Sequence, residues 1–296
     1  MKLEYYIVDV FAENQYSGNQ LAVFLNTAAL SKSEMQSIAL ETNFAETTFI
    51  ESNQKNEDGS YNVRIFTPGT EVPFAGHPTL GTAFVISEYI EPGASKIIMN
   101  YPVGHVPVVK ENQILFMTQV QPRFTDSLSH EETADILGLS ADDLLDYPIE
   151  NVSTGLPFYI VPLKSLEAVR SISINPISYR RLMDRLPEME ITPAFLSFAQ
   201  EAIEEGHDLN CRMHYLENNQ LVEDAATGSA NGCLLSYLLK HNVLGKSTVE
   251  LKVEQGYEIN RPSLIYHKGR LENENYELKI GGKVQLVSHG EWFHRH

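Results

Sequence analysis

Cysteine is nearly absent. Two thiols in 296 residues, Cys211 and Cys233, stand too far apart for a CxxC pair and are too few for a disulfide framework or a thiolate metal cluster. Such sparing use fits a reducing compartment, so a cytoplasmic protein is expected. Basic residues are also short: 22 Lys and Arg face 39 Asp and Glu, a formal net charge of -17. A nucleic-acid backbone or an anionic membrane would be repelled over most of such a surface, whereas a small anion in a locally positive pocket would not. No apolar run approaches the roughly 18 residues that a membrane helix needs. The opening, Met1 to Val10, alternates like a strand and carries an early Glu4, unlike a signal peptide. The ten histidines are scattered without an HExxH spacing, and His294 with His296 reads as a polar tail. Walker and dinucleotide fingerprints are missing too, so the sequence calls for no metal and no cofactor.

What the chain does have is an ordinary globular balance, 43% hydrophobic and 21% charged, and a length that suits two domains better than one. Glu71 to Gly81, E-V-P-F-A-G-H-P-T-L-G, is echoed by Glu223 to Gly232, E-D-A-A-T-G-S-A-N-G. Each copy runs from an acidic residue through small or cyclic residues to a Gly, then into an apolar helical segment. The first N–H groups of a helix lack intrahelical acceptors and sit at the positive end of its dipole. Gly permits close backbone approach there, and Pro78 suits a first helical position. A single such turn reads as an ordinary helix start; two at corresponding places read as a pair of ends built to hold an anion.

Around these motifs the pattern is mostly strand. Leu3 to Phe11 and Leu21 to Leu25 form an expected hairpin across the turn Asn14 to Asn19. Ser31 and Glu34 make a capping box for a helix ending near Asn43. Strands follow at Phe44 to Ile50 and Tyr61 to Thr67, then the helix from Pro78 to Tyr89, then strands near 96–100, 105–109 and 113–118. Gln121 to Phe124 reads as the passage to the second half. That half holds short capped helices at Ser129 and Ser140, a strand at Phe158 to Leu163 and helical pieces in Leu166 to Leu186. Ala194 to Glu204 fits strand or helix equally. Leu209 to Leu216 is a strand, Ala230 to Asn242 a second apolar helix, and four strands close the chain, with Gly281-Gly282 read as a hairpin turn. A helix as apolar as 232–239 has little polar face, and a curved sheet wrapped around it buries it best.

The segments D-V-F with S-G-N-Q-L-A-V-F, N-F-A-E-T-T-F-I, F-T-P with E-V-P-F-A-G-H-P-T-L-G-T-A, and E-D-A-A-T-G-S-A-N-G resemble the phenazine biosynthesis PhzF family. That family belongs to the superfamily of diaminopimelate epimerase and proline racemase. E-Q-G and R-P-S within Glu254 to Ser263 and G-G-K-V at Gly281 extend the resemblance over nearly the whole chain. It implies an α+β fold of two similar domains, each a curved, mostly antiparallel sheet around a central apolar helix, with the active site in the cleft between them. The expected domains are 1–120, with 285–296 as a candidate completion, and 121–284. The resemblance further implies a homodimer and a cofactor-free isomerase that moves a proton between carbons of a small carboxylated substrate.

By the same resemblance Glu46, the Glu of E-T-T, is the acid/base, and His77, Asp224 and Ser229 match further site residues. The residues themselves leave alternatives. Glu46 is either a cleft carboxylate whose desolvation tunes it for proton transfer or a solvated junction residue. His77 is a donor or relay beside the substrate, or a capping His. Asp224 orients His77, shares a proton with Glu46, or braces nearby backbone. Asn19 binds a substrate carboxylate through its amide, or merely forms the S-G-N turn. Gly76, Thr227, Gly228 and Ser229 offer the backbone donors that would steady an anionic intermediate. Racemases of the superfamily place a thiol ahead of each Gly; here those positions are Ala75 and Thr227, neither of which can serve as a thiolate base. Cys211 and Cys233 then read as core residues. Ala225 replaces the family's usual Pro. Tyr16, Arg64 and Arg212 are candidates for substrate selection, and binding without turnover is the alternative function.

Overall fold

The computed structural model describes residues 1–186, 194–217 and 220–294; His296 and the far end of the expected 285–296 completion lie outside them. The chain divides into two compact units, Met1–Thr118 with Gly281–His296, and Gln119–Ile280.

The first unit contains β1 (Lys2–Val10), β2 (Asn19–Phe24), α1 (Lys32–Thr42), β3 (Glu46–Ile50), β4 (Tyr61–Phe66), β5 (Glu71–Val72), α2 (Gly76–Val85), β6 (Lys96–Tyr101), β7 (Gly104–Glu111) and β8 (Ile114–Thr118). β1 and β2 are antiparallel, β2 and β3 parallel, β3 and β4 antiparallel. β4 carries the short β5 antiparallel and β6 parallel, and β6, β7 and β8 continue antiparallel. The two parallel joints are where the chain must cross over, through α1 and through α2. α1 starts on the expected capping box, Ser31 with Glu34, and stops on Asn43 in the left-handed conformation. Nine of the ten residues of α2 are buried, Phe84 being the exception, and the sheet strands β1, β2, β3, β6, β7 and β8 pack around it. Gly81 permits that wrap, because a Cβ there would stand 2.5 Å from Leu21 Cδ2 and 2.9 Å from Val10 Cγ2.

In the second unit come β9 (Arg123–Leu128), α3 (His130–Leu137), β10 (Ile149–Ser153), β11 (Pro157–Pro162), α4 (Leu166–Arg170), α5 (Pro176–Arg185), β12 (Ala194–Ala199), β13 (Leu209–Glu217), β14 (Gln220–Asp224), α6 (Gly228–Lys240), β15 (Thr248–Gln255), β16 (Ser263–Glu272) and β17 (Asn275–Gly282). The last strand, β18 (Val284–Phe293), returns to β1 antiparallel. Pairing here repeats the first unit: β10 with β11 antiparallel, β11 with β12 parallel, β12 with β13 antiparallel, β13 with β14 antiparallel and with β15 parallel, β15 with β16 antiparallel. α6 is buried from Gly228 through Leu239 against β10, β11 and β16. Each unit is therefore a mostly antiparallel sheet around one apolar helix, the α+β architecture expected.

Four local readings change. Ala194 to Ala199 is a strand, buried at every position. Pro78 is the third residue of α2, which begins at Gly76; a missing N–H still costs nothing within the first turn. β10 and β14 interrupt stretches without clear alternation, so the sequence pattern does not show them. Gly281-Gly282 is no hairpin turn: both residues lie in β17, and neither takes a positive φ. They are small because rings cover them; a Cβ would meet Phe116 Cδ1 at 2.5 Å on Gly281 and Phe11 Cδ1 at 2.4 Å on Gly282.

Candidate active site

Six α-helices are described, and four begin on a side chain that caps them: Ser31, Ser129, Ser165 and Asn175. α2 and α6 do not. Ala75 has no side chain able to cap, and Thr227 turns its hydroxyl elsewhere. The two helices singled out by the echoed motif are the two whose first-turn N–H groups receive no side-chain cap from their own N-terminus.

In the first unit, β2 and β3 converge on the start of α2. Glu46 opens β3 opposite Leu21 of β2, half-buried, with a side chain 18% exposed. His77, in the first turn of α2 and 6% exposed, places Nε2 3.5 Å from Glu46 Oε2 and 3.3 Å from the carbonyl oxygen of Gln20. A carbonyl only accepts, so Nε2 carries the ring proton. Burial pushes the imidazolium down to about 3, against a small upward pull from the Gln20 carbonyl. The distance to Glu46 alone would allow an ion pair, but burial decides otherwise: His77 is a neutral donor. Asn19, one residue before Gln20, is buried at the head of β2, directly after Gly18 (φ 67°). The structure thus brings Glu46 and His77 together and sets Asn19 in the adjoining strand.

In the second unit, Asp224 ends β14, and Thr227, Gly228 and Ser229 follow into α6. The Thr227 hydroxyl donates to Asp224 Oδ2 at 2.5 Å. Behind them stands a buried polar chain that no expectation named. Gln255 Oε1 accepts from Thr227 N (3.2 Å) and Asn231 Nδ2 (3.0 Å), and Gln255 Nε2 donates to Asp224 O (3.0 Å) and Thr227 Oγ1 (3.1 Å). Asn231 also donates to Thr227 O, and its Oδ1 accepts from His267 Nε2 at 2.9 Å. Gln255 lies in the E-Q-G segment, but a Gln at the end of the mixed strand β15 gives no period or spacing by which to assign it a role.

Three selectivity candidates fall elsewhere. Arg64 donates bidentately to Glu71, Nε to Oε1 at 2.7 Å and Nη2 to Oε2 at 3.0 Å. Arg212 does the same to Glu223, at 2.9 and 2.7 Å, and its Nη1 also binds the carbonyls of Val169, Arg170 and Ile172. Each guanidinium is committed to a glutamate of the fold, and the acidic residues that open both motifs serve as their partners. Tyr16 projects from the β1–β2 turn, 70% exposed. Cys211 and Cys233 are buried, and burial pushes both thiols up, Cys233 to about 12, as core residues should be. His294, read as tail, bonds Glu34 at 2.9 Å. Among the described residues no group of three His, Cys, Asp or Glu is placed to hold a metal, and no helix is long and apolar enough to cross a membrane.

The family model described as phenazine biosynthesis-like protein matches residues 8–290. The chain belongs to that family. It is 33% identical over 292 residues to the trans-2,3-dihydro-3-hydroxyanthranilate isomerase of Pseudomonas aeruginosa, covering 97% of this chain and 98% of that one. An uncharacterised isomerase of Pasteurella multocida is 32% identical over 293 residues, 98% of this chain and 93% of the other. The crystal structure of a Bacillus anthracis PhzF-family protein superposes with a TM-score of 0.87 at 26% identity, covering 99% of both chains. Both relatives carry isomerase names, and this PhzF-family chain has Ala75 and Thr227 where a thiol would precede each Gly.

Proposed function

We propose that the protein is a cofactor-independent isomerase in which Glu46 carries a proton from one carbon of a small carboxylated substrate to another. The observation that carries this reading is the pairing of Glu46 with a neutral, buried His77 at the first turn of a helix without a side-chain cap. Glu46 removes a proton from a C–H bond, and the electron pair left behind delocalises into the substrate's adjacent unsaturation. The same carboxyl group then returns the proton to a different carbon, so no redox partner or second base is required. His77 is too acidic as an imidazolium to compete as base; its Nε2–H, facing the Gln20 carbonyl, keeps a neutral ring 3.5 Å from Glu46 Oε2. Donors at Gly76 and His77, and in the other motif at Gly228 and Ser229, suit negative charge that develops on substrate oxygens. Asn19 binds the carboxylate, and Asp224 with Thr227 completes the polar groups that handle the substrate.

The relative of known substrate acts on trans-2,3-dihydro-3-hydroxyanthranilate, and a small unsaturated carboxylic acid of that class is the substrate proposed here. The isomerase names of the relatives favour turnover over binding alone. Glu46→Gln tests the role: in deuterated buffer with that acid, carbon-bound deuterium uptake should fall about 10²- to 10⁴-fold. Uptake at the parent rate in the Gln variant would remove Glu46 from the mechanism.

A further inference from the structure

The chain of side chains behind Asp224 admits one arrangement of protons. Thr227 N, Asn231 Nδ2 and the Cys211 thiol all point donors at Gln255 Oε1. The Asp224 carbonyl and the Thr227 hydroxyl oxygen face Gln255 Nε2 as acceptors. Reversing the amide would set donors against donors and a carbonyl against a carbonyl, so its orientation is overdetermined. Asn231 is fixed likewise, because both partners of its Nδ2 are oxygens; its Oδ1 must then accept from His267, whose proton sits on Nε2. Burial pushes the His267 imidazolium down to about 3, and the ring is neutral. With Gln255 donating to its oxygen, the Thr227 hydroxyl has its one proton left for Asp224 Oδ2.

The first unit shows that supporting the helix does not need this chain. Register places Thr79 where Asn231 stands, Tyr101 where Gln255 stands, and Val108 where His267 stands. There the link is two hydroxyls: Thr79 Oγ1 donates to Ala75 O at 2.7 Å and lies 3.2 Å from Tyr101 OH. Three buried polar side chains, Asn231, Gln255 and His267, each no more than 1% exposed, are a costly substitute for the same brace. What they add is a defined donor sense that ends on a site carboxyl.

We propose that Gln255, oriented by Asn231 and His267, is a positioning residue that holds the Thr227 hydroxyl proton on Asp224 Oδ2 and thereby fixes the orientation of that carboxyl group. This rests on the isomerase reading for its catalytic consequence and not for its hydrogen bonds. The test is Gln255→Met, near in shape, with no donor and only a weakly accepting sulfur. In the parent, proton NMR of threonine-labelled protein should show the Thr227 hydroxyl as a slowly exchanging signal; in Gln255→Met it should broaden into solvent. Turnover of trans-2,3-dihydro-3-hydroxyanthranilate should fall about tenfold or more in kcat, with KM little changed. In a Thr227→Val background the Met substitution should cost little further in kcat, since the route through the Thr227 hydroxyl to the Asp224 carboxylate is gone. His267→Val, the residue found at the matching register position, should reproduce the hydroxyl effect if Gln255→Met fails to fold, and His267→Gln, which keeps a donor, should restore the signal.

A Thr227 hydroxyl signal unchanged in both Gln255→Met and His267→Val overturns the proposal. So does a Gln255→Met loss that persists in full over Thr227→Val. A parent protein that does not turn over this acid bears on the isomerase reading instead, while the hydroxyl signal still answers the question about Gln255.

Discussion

The two units share one wiring diagram and carry different chemistry on it. Register aligns Phe66 opposite Glu71 with His214 opposite Glu223, and two residues before each stands an arginine that clasps the glutamate with both nitrogens. Five residues beyond each glutamate, a Gly opens the central helix. That much is frame. At the head of the strand parallel to β2 the first unit has Glu46; at the matching place beside β11 the second has the buried Ala194. Conversely, Val72 stands where the second unit has Asp224, and Ala75 where it has Thr227. One unit carries the proposed base and its neutral imidazole; the other carries a carboxyl dressed by hydrogen bonds. Repetition explains the common pairing pattern, and the departures from it coincide with residues of the proposed site.

The clasps offer the largest test of what is frame. Arg212 and Glu223 are about 10% exposed, and Arg212 also ties the end of α4. Removing it with Arg212→Met leaves the buried Glu223 carboxylate only His214, 3.4 Å away, and should cost about 3–5 kcal/mol in urea unfolding. Arg64 and Glu71 are more open, and Lys32 lies 2.8 Å from Glu71 as a second cation. Arg64→Met should therefore cost less, about 2 kcal/mol. Equal losses would mean that the two clasps are not the same device in two settings.

Acid should act on the same pairs. Arg64 holds Glu71 at about 2, with Lys32 assisting, against a burial effect that raises it. Burial raises Glu223 as well, but His214 and Arg212 outweigh it and hold that carboxyl at about 2. Both folded values lie below the ordinary 4.5, so the unfolded chain binds more protons and stability falls as the pH drops from about 4.5 toward 2. Above that window the contribution is fully present. The slope of unfolding free energy against pH over this range should be shallower in Arg64→Met, because Glu71 then titrates nearer its unfolded value; an unchanged slope would remove that clasp from the acid response.

Much of this was legible in the chain. Ser31 with Glu34, the strand at Glu46 and the two apolar helices follow from local chemistry that the fold leaves in place. The Gly-led motifs pointed to helix starts, and those are the two without side-chain caps. What could not be read was partnership at a distance. Arg64 and Arg212 read as candidates for substrate selection until the fold set Glu71 and Glu223 against them. Gly281-Gly282 looked like a turn because a dipeptide cannot show that Phe116 and Phe11 lie over it. Gln255, Asn231 and His267 come from a strand, a helix and another strand, and no local pattern links them.

The smallest effect should separate the two helix braces. Thr79→Val keeps shape and removes one hydroxyl that bonds Ala75 O and meets Tyr101 OH. Ala75 O also accepts from the backbone N–H of Thr79, and Tyr101 OH can turn to Met99 Sδ at 3.4 Å, so little is left unsatisfied. The expected loss is about 1 kcal/mol in urea unfolding, with turnover close to the parent's. In the second unit the corresponding side chain, Asn231, has three partners whose orientations depend on it. If Thr79→Val lowered kcat as far as the substitutions around Gln255 do, the first brace would be part of the chemistry too, and the contrast between a structural link and an orienting one would fail.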